Sequence, residues 1–145
     1  ELWCENEVLG EEGSGVLEHT SGTHTVTETL TLASGSTATG MYQLRNGTLT
    51  TGSVLVGDLG NASFLHHQGT HQVSGTLTVA QGGLSDSFYS ISGGALTTNY
   101  AVIGPRGTGK VFLHDGVTHE VLRSLTIGGP VMGSGKYEVN GDSFL

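Results

Sequence analysis

Six of the seven histidines fall into three pairs, His19/His24, His66/His71 and His114/His119, each separated by four residues that include a glycine. Two imidazoles held across such a corner can serve as metal ligands or as buried neutral groups that satisfy one another. Zinc takes three or four ligands, and the matching positions in the intervening repeats carry Leu, Ile, Val or Phe. Successive pairs are therefore about 10 Å apart, two strand spacings, if the repeats stack. His19, His24, His66, His71, His114 and His119 are the candidate metal ligands of this chain. The scarcity of further donors favours the alternative, a neutral imidazole hydrogen-bonded to its partner or to the backbone of the corner. Acid should then loosen the fold, because a buried imidazole resists charging.

Other chemistry is thinly represented. Gly104-Pro105-Arg106-Gly107-Thr108-Gly109-Lys110 approaches a phosphate-binding loop, but Val111 stands where that loop needs a hydroxyl for magnesium, and a strand rather than a helix follows. A polysaccharide lyase or hydrolase needs carboxylates that converge, or bound calcium. Asp58, Asp86, Asp115 and Asp142, with Glu18, Glu28 and Glu120, are scattered over different repeats. No catalytic residue and no cofactor site is expected. Cys4 is the single cysteine, which excludes an internal disulfide.

The elements that must hold the histidines are announced by two interleaved repeats. His19, His66 and His114 begin copies of one motif, 47 and 48 residues apart; Tyr42, Tyr89 and Tyr137 mark copies of another at the same distances. Together they divide the chain into coils of 22 to 25 residues, a period that signifies a solenoid. Each coil holds three short segments with apolar residues at every second position. No coil can bury that apolar set alone; stacking in parallel register does so and pairs each backbone with its neighbours.

Four inward columns follow from the alignment. Leu17, Tyr42, Phe64, Tyr89, Phe112 and Tyr137 form the first, and His19, Leu44, His66, Ile91, His114 and Val139 the second. The third is His24, Leu49, His71, Leu96, His119 and Phe144; the fourth is Leu32, Val56, Val79, Ile103 and Ile127. Gly57, Gly104 and Gly128 close equivalent coils, at corners that need glycine's backbone freedom. The reading is thus an all-β parallel β-helix of about six coils in one domain, residues 1–145, with 1–12 as a lead-in and an incomplete last coil. Open strand edges at both ends invite either end-to-end self-association or continuation into neighbouring repeats of a longer chain.

Composition narrows the partners. With 25 glycines, 2 prolines and no helical spacing of apolar residues, helix should be nearly absent. A net charge of −8 argues against nucleic acid and anionic membrane, which need a basic footprint. No apolar stretch approaches the roughly 20 residues of a membrane span. The outward threonine rows raise ice or crystal-surface binding, but they degrade along the rod, from Thr23/Thr25 to Thr118/Glu120.

The phrases Gln68-Gly69-Thr70-His71-Gln72-Val73-Ser74-Gly75-Thr76-Leu77-Thr78-Val79 and Ser92-Gly93-Gly94-Ala95-Leu96-Thr97 resemble the repeats of large bacterial surface proteins of the autotransporter-passenger and PEP-CTERM-anchored kinds. The resemblance runs from Gly13 to about Gly141. It implies a right-handed parallel β-helix, an extracellular or cell-surface location, and a structural or adhesive role. The expected function is therefore a non-enzymatic stalk, adhesin segment or filament protomer. The alternative is a β-helix that binds or cleaves carbohydrate on one solvated face, with glycans as partners.

Overall fold

The computed structural model describes residues 1–130, 132–142 and 145, and among these it contains thirteen strands and no helix. Five long strands carry most of one sheet: β4 (Thr23–Leu32), β6 (Thr48–Val56), β8 (Thr70–Val79), β10 (Ala95–Ile103) and β12 (Thr118–Ile127). Two short ones, β1 (Leu2–Cys4) and β2 (Glu7–Leu9), lie beside β4 and complete that sheet. The facing sheet has six strands, β3 (Ser14–His19), β5 (Thr39–Leu44), β7 (Asn61–His66), β9 (Asp86–Ile91), β11 (Thr108–Leu113) and β13 (Ser134–Val139). Every recorded pairing is parallel, and each strand pairs with its counterpart one coil away. The chain is a β-solenoid of about six turns.

Two of the three segments expected in each coil prove to be one strand. Each long strand carries a register irregularity near its middle, such as that between Val26 and Thr29 where β4 meets β6. A bulge of this kind bends a strand without ending it, so one strand covers two sides of the coil. The lead-in residues also belong to the stack: β1 pairs with the first half of β4 and β2 with the second. Leu9 tops the fourth column above Leu32, as the likeness of Val8-Leu9-Gly10 to a third segment implies.

The core lies between the sheets in stacked columns. Leu32, Val56, Val79, Ile103 and Ile127 are in register, as are His24, Leu49, His71, Leu96 and His119. Phe144, expected to end the latter column, lies outside the described residues. The other two columns need one correction each: β11 places Val111, not Phe112, beside Tyr89 and Tyr137, and Leu113, not His114, beside Ile91 and Val139. Val111 and Leu113 are fully buried, whereas His114 is exposed.

The cause is an added residue in one corner. Three residues join β5 to β6, β7 to β8 and β9 to β10, but four, His114 to Val117, join β11 to β12. Aligning on the histidine pair pushes β11 along by one position, and a one-residue slip turns every side chain to the opposite face. Steric fit opposes that slip. Gly109 sits so close to the preceding corner that a Cβ there would fall 2.4 Å from the Gly104 nitrogen and 2.6 Å from the Val79 oxygen. Only Gly109 fits, so Val111 and Leu113 face inward, and Val117 turns in to fill the longer corner.

Coil lengths alternate for a comparable reason. The corner after a long strand has six residues between β4 and β5 or β8 and β9, but four between β6 and β7 or β10 and β11. All of these corners start in the left-handed region, at Ala33, Gly57, Ala80 and Gly104, with φ of 57°, 80°, 60° and 66°. Gly128 follows at 83°, so the three glycines read as coil closures occupy that role.

Candidate functional site

The histidines meet a third residue that completes each cluster: a tyrosine eighteen positions beyond the second histidine. In the second repeat, Tyr89 comes from the next coil and its hydroxyl lies 3.2 Å from His66 Nδ1 and 2.8 Å from His71 Nδ1. All three side chains are inaccessible to solvent. His66 Nε2 is 3.2 Å from the Gly69 carbonyl, and His71 Nε2 is 3.2 Å from the Thr51 hydroxyl.

These contacts fix where the protons sit. A carbonyl only accepts, so His66 Nε2 carries hydrogen and, in the neutral ring, His66 Nδ1 is bare. Tyr89 must therefore donate to His66, and its oxygen accepts from His71 Nδ1–H. That leaves His71 Nε2 bare, and it accepts from the Thr51 hydroxyl. The chain Thr51, His71, Tyr89, His66, Gly69 thus satisfies every buried polar group with each ring neutral. Burial pulls the His66 imidazole down from its usual 6.5 to about 4. Burial likewise lowers His71 strongly, with the neighbouring His66 adding to the effect, and it raises the Tyr89 phenol.

The other two repeats vary this chain. In the third, His119 Nε2 lies 3.1 Å from the Thr98 hydroxyl and His119 Nδ1 2.5 Å from the Tyr137 hydroxyl. The first histidine of that cluster is missing, because Leu113 holds the inward position and His114 instead meets Ser90 outside, 3.2 Å away. Burial alone takes His119 down to about 4. In the first repeat, Tyr42 bridges His19 Nδ1 at 3.1 Å and His24 Nδ1 at 2.7 Å, while His19 Nε2 reaches the Gly22 carbonyl at 3.3 Å. With both rings neutral, the same proton order leaves His24 Nε2 bare, as in His71.

What faces that bare nitrogen differs. Thr51 and Thr98 sit in the row Cys4, Val26, Thr51, Val73, Thr98, Val121 of the long-strand sheet, each one coil before its histidine. For His24 the same place is held by Cys4. Glu7 lies beside it, its Oε2 2.9 Å from His24 Nε2; neither of these two buried atoms has an aligned hydrogen-bond partner. Among the described residues, Cys4, Glu7 and His24 are the group whose donor atoms come together as metal ligands would, all within 4.8 Å of one another. Sequence reasoning passed over Cys4 and Glu7; aligning residues 1–9 as a coil would have placed Cys4 in the threonine row.

The six candidate ligands do not gather into a single site. Leu44 separates His19 from His66, and Leu49 separates His24 from His71. Ring stacking continues through Phe64 instead, with centroids 4.8 Å from Tyr42 and 4.3 Å from Tyr89 and planes within 10°. Among the carboxylates, Asp86 pairs with Lys110 at 2.7 Å and Glu18 with Arg45, on the outer surface. The stretch Gly104–Val111 forms a corner and opens β11, with no helix to receive a phosphate. Among the described residues no helix is long and apolar enough to cross a membrane. The fold and clusters define a parallel β-solenoid with an internal histidine–tyrosine ladder. Comparison with family models, curated proteins and solved structures finds no match to this chain.

Proposed function

We propose that the chain is a non-enzymatic building element of an extracellular structural protein, a stalk or filament segment that lengthens by adding layers at its ends. The observation that carries this reading is the state of the inward columns in the terminal layers. Leu2 is 49% exposed, Ile127 49% and Val139 43%, although Leu49, Leu96, Ile103, Leu44 and Ile91 of the same columns are fully buried. A further layer in register would cover them and would also pair the open backbone edges of β12 and β13. A second copy, or neighbouring repeats of a longer chain, supplies such a layer. The extracellular setting rests on the resemblance of the Thr-, Ser- and Gly-rich repeats to bacterial surface proteins.

Analytical ultracentrifugation over a concentration series tests this. Mass should rise with concentration, and Ile127→Lys with Val139→Lys should hold the chain monomeric while leaving its circular dichroism intact. A wild-type chain that stays monomeric at all concentrations would overturn end-to-end association.

One observation favours a second reading, glycan binding on the outer face of the six-stranded sheet. A shallow hollow of about 270 Å³ lies there, lined by Thr39, Asn61, Asp86 and Phe88 among others, which combines an aromatic face with polar side chains. Glycan-array binding abolished by Phe88→Ala would support it.

A further inference from the structure

The first repeat departs from the others at one place, and the departure has the chemistry of a cation site. In the second and third repeats a threonine hydroxyl donates a proton to the bare Nε2 of the histidine. In the first, the Nε2 of His24 faces a carboxylate oxygen at 2.9 Å and a thiol within 4.8 Å. With His24 neutral and its Nδ1 protonated, both atoms are acceptors, and two acceptors at that distance repel each other unless something positive lies between them. The His24 side chain is 3% exposed, so water does not compensate, and the nitrogen has no aligned hydrogen-bond partner.

We propose that Cys4, Glu7 and His24 bind a divalent cation of the zinc class. The donor set is one sulfur, one nitrogen and one carboxylate oxygen, which suits a borderline-soft ion and not calcium or magnesium. Tetrahedral coordination with bonds near 2.0 to 2.3 Å asks for donors roughly 3 to 4 Å apart, and separations from 2.9 Å to within 4.8 Å need only small adjustments to reach it. A fourth position stays open to water or to an incoming group. Tyr42 acts as the outer partner: its hydroxyl accepts from His24 Nδ1–H at 2.7 Å and thereby holds Nε2 free to ligate. Binding releases the thiol proton to solvent. It ties β1, β2 and β4 together at the end of the stack, because Cys4, Glu7 and His24 belong to those three strands.

The competing occupant is a proton, which would make His24 an imidazolium paired with Glu7. Cobalt(II) titration of the purified chain near neutral pH separates the two. One equivalent should bind with a thiolate-to-cobalt charge-transfer band in the near ultraviolet, and zinc should displace it. Cys4→Ser, which supplies a hydroxyl where Thr51 and Thr98 have one, should abolish the band and weaken zinc binding by at least about 100-fold while the fold persists by circular dichroism. Glu7→Gln should keep the band but weaken binding. Zinc should also raise the unfolding temperature of the wild type and not of Cys4→Ser. Absence of the band, or zinc binding that is equal in wild type and Cys4→Ser and therefore held by surface histidines such as His67, overturns the proposal.

Discussion

Tyr89 holds two buried imidazoles with one hydroxyl, as Tyr42 does in the first repeat. Its hydroxyl serves His66 and His71 at once, in a region from which water is excluded. Tyr89→Phe keeps the ring stack with Phe64 but strands two imidazole nitrogens, each at about 1 to 3 kcal/mol. Its unfolding free energy should fall by about 2 to 4 kcal/mol in chemical denaturation. Tyr137→Phe, with a single histidine partner, should cost about half as much. Equal, negligible losses in both variants would contradict the assigned hydrogen bonds. The imidazoles also set a pH dependence. Their folded values lie below the unfolded value of 6.5, so the unfolded chain takes up protons first as pH falls. The contributions of His66 and His119 should be level above about pH 7, decline from about 6.5 and level off near 4, and His71 adds to the decline. The drop from 6.5 to about 4 is worth about 3 kcal/mol for each of His66 and His119. Unfolding midpoints measured from pH 7.5 to 4.5 check this.

At the scale of the strand, the two sheets show what a repeat can and cannot reveal. Period-2 alternation and the 47- to 48-residue spacing made the columns through Leu32 and Leu49 legible, because inward and outward faces differ in polarity along every long strand. The same logic misplaced β11, since His114 and His119 keep the spacing of the earlier pairs although the added residue lies in the corner between them. Nothing in the spacing says which side of an insertion moves; the tight approach at Gly109 decides it. The tyrosine bridges escaped for another reason: partners eighteen residues apart meet only once the coil's path is known. Cys4 and Glu7 escaped because three-residue strands are too short for alternation to identify. The correction is directly testable. His114→Ala should change stability by no more than about 0.5 kcal/mol, whereas His66→Ala, which opens a cavity and strands Tyr89, should cost about 2 to 5 kcal/mol. Comparable losses at the two positions would mean that His114 is inside after all.

Across the whole molecule, six layers at a spacing near 4.8 Å make a rod on the order of 30 Å long. Its interior columns are dry along their length and half-bare in the terminal layers. Stability in such a stack is close to a sum of nearest-neighbour terms, so each layer stabilises the one beneath it, and under the function proposed above a further layer, from a second copy or from neighbouring repeats of a longer chain, would continue the stack. Electron cryo-microscopy of the concentrated protein tests this most directly. The account predicts rods several times longer than one chain, with the layer spacing near 4.8 Å running unbroken across each junction. Isolated particles of single-chain length at every concentration, or chains joined side by side with their end layers still bare, would contradict it.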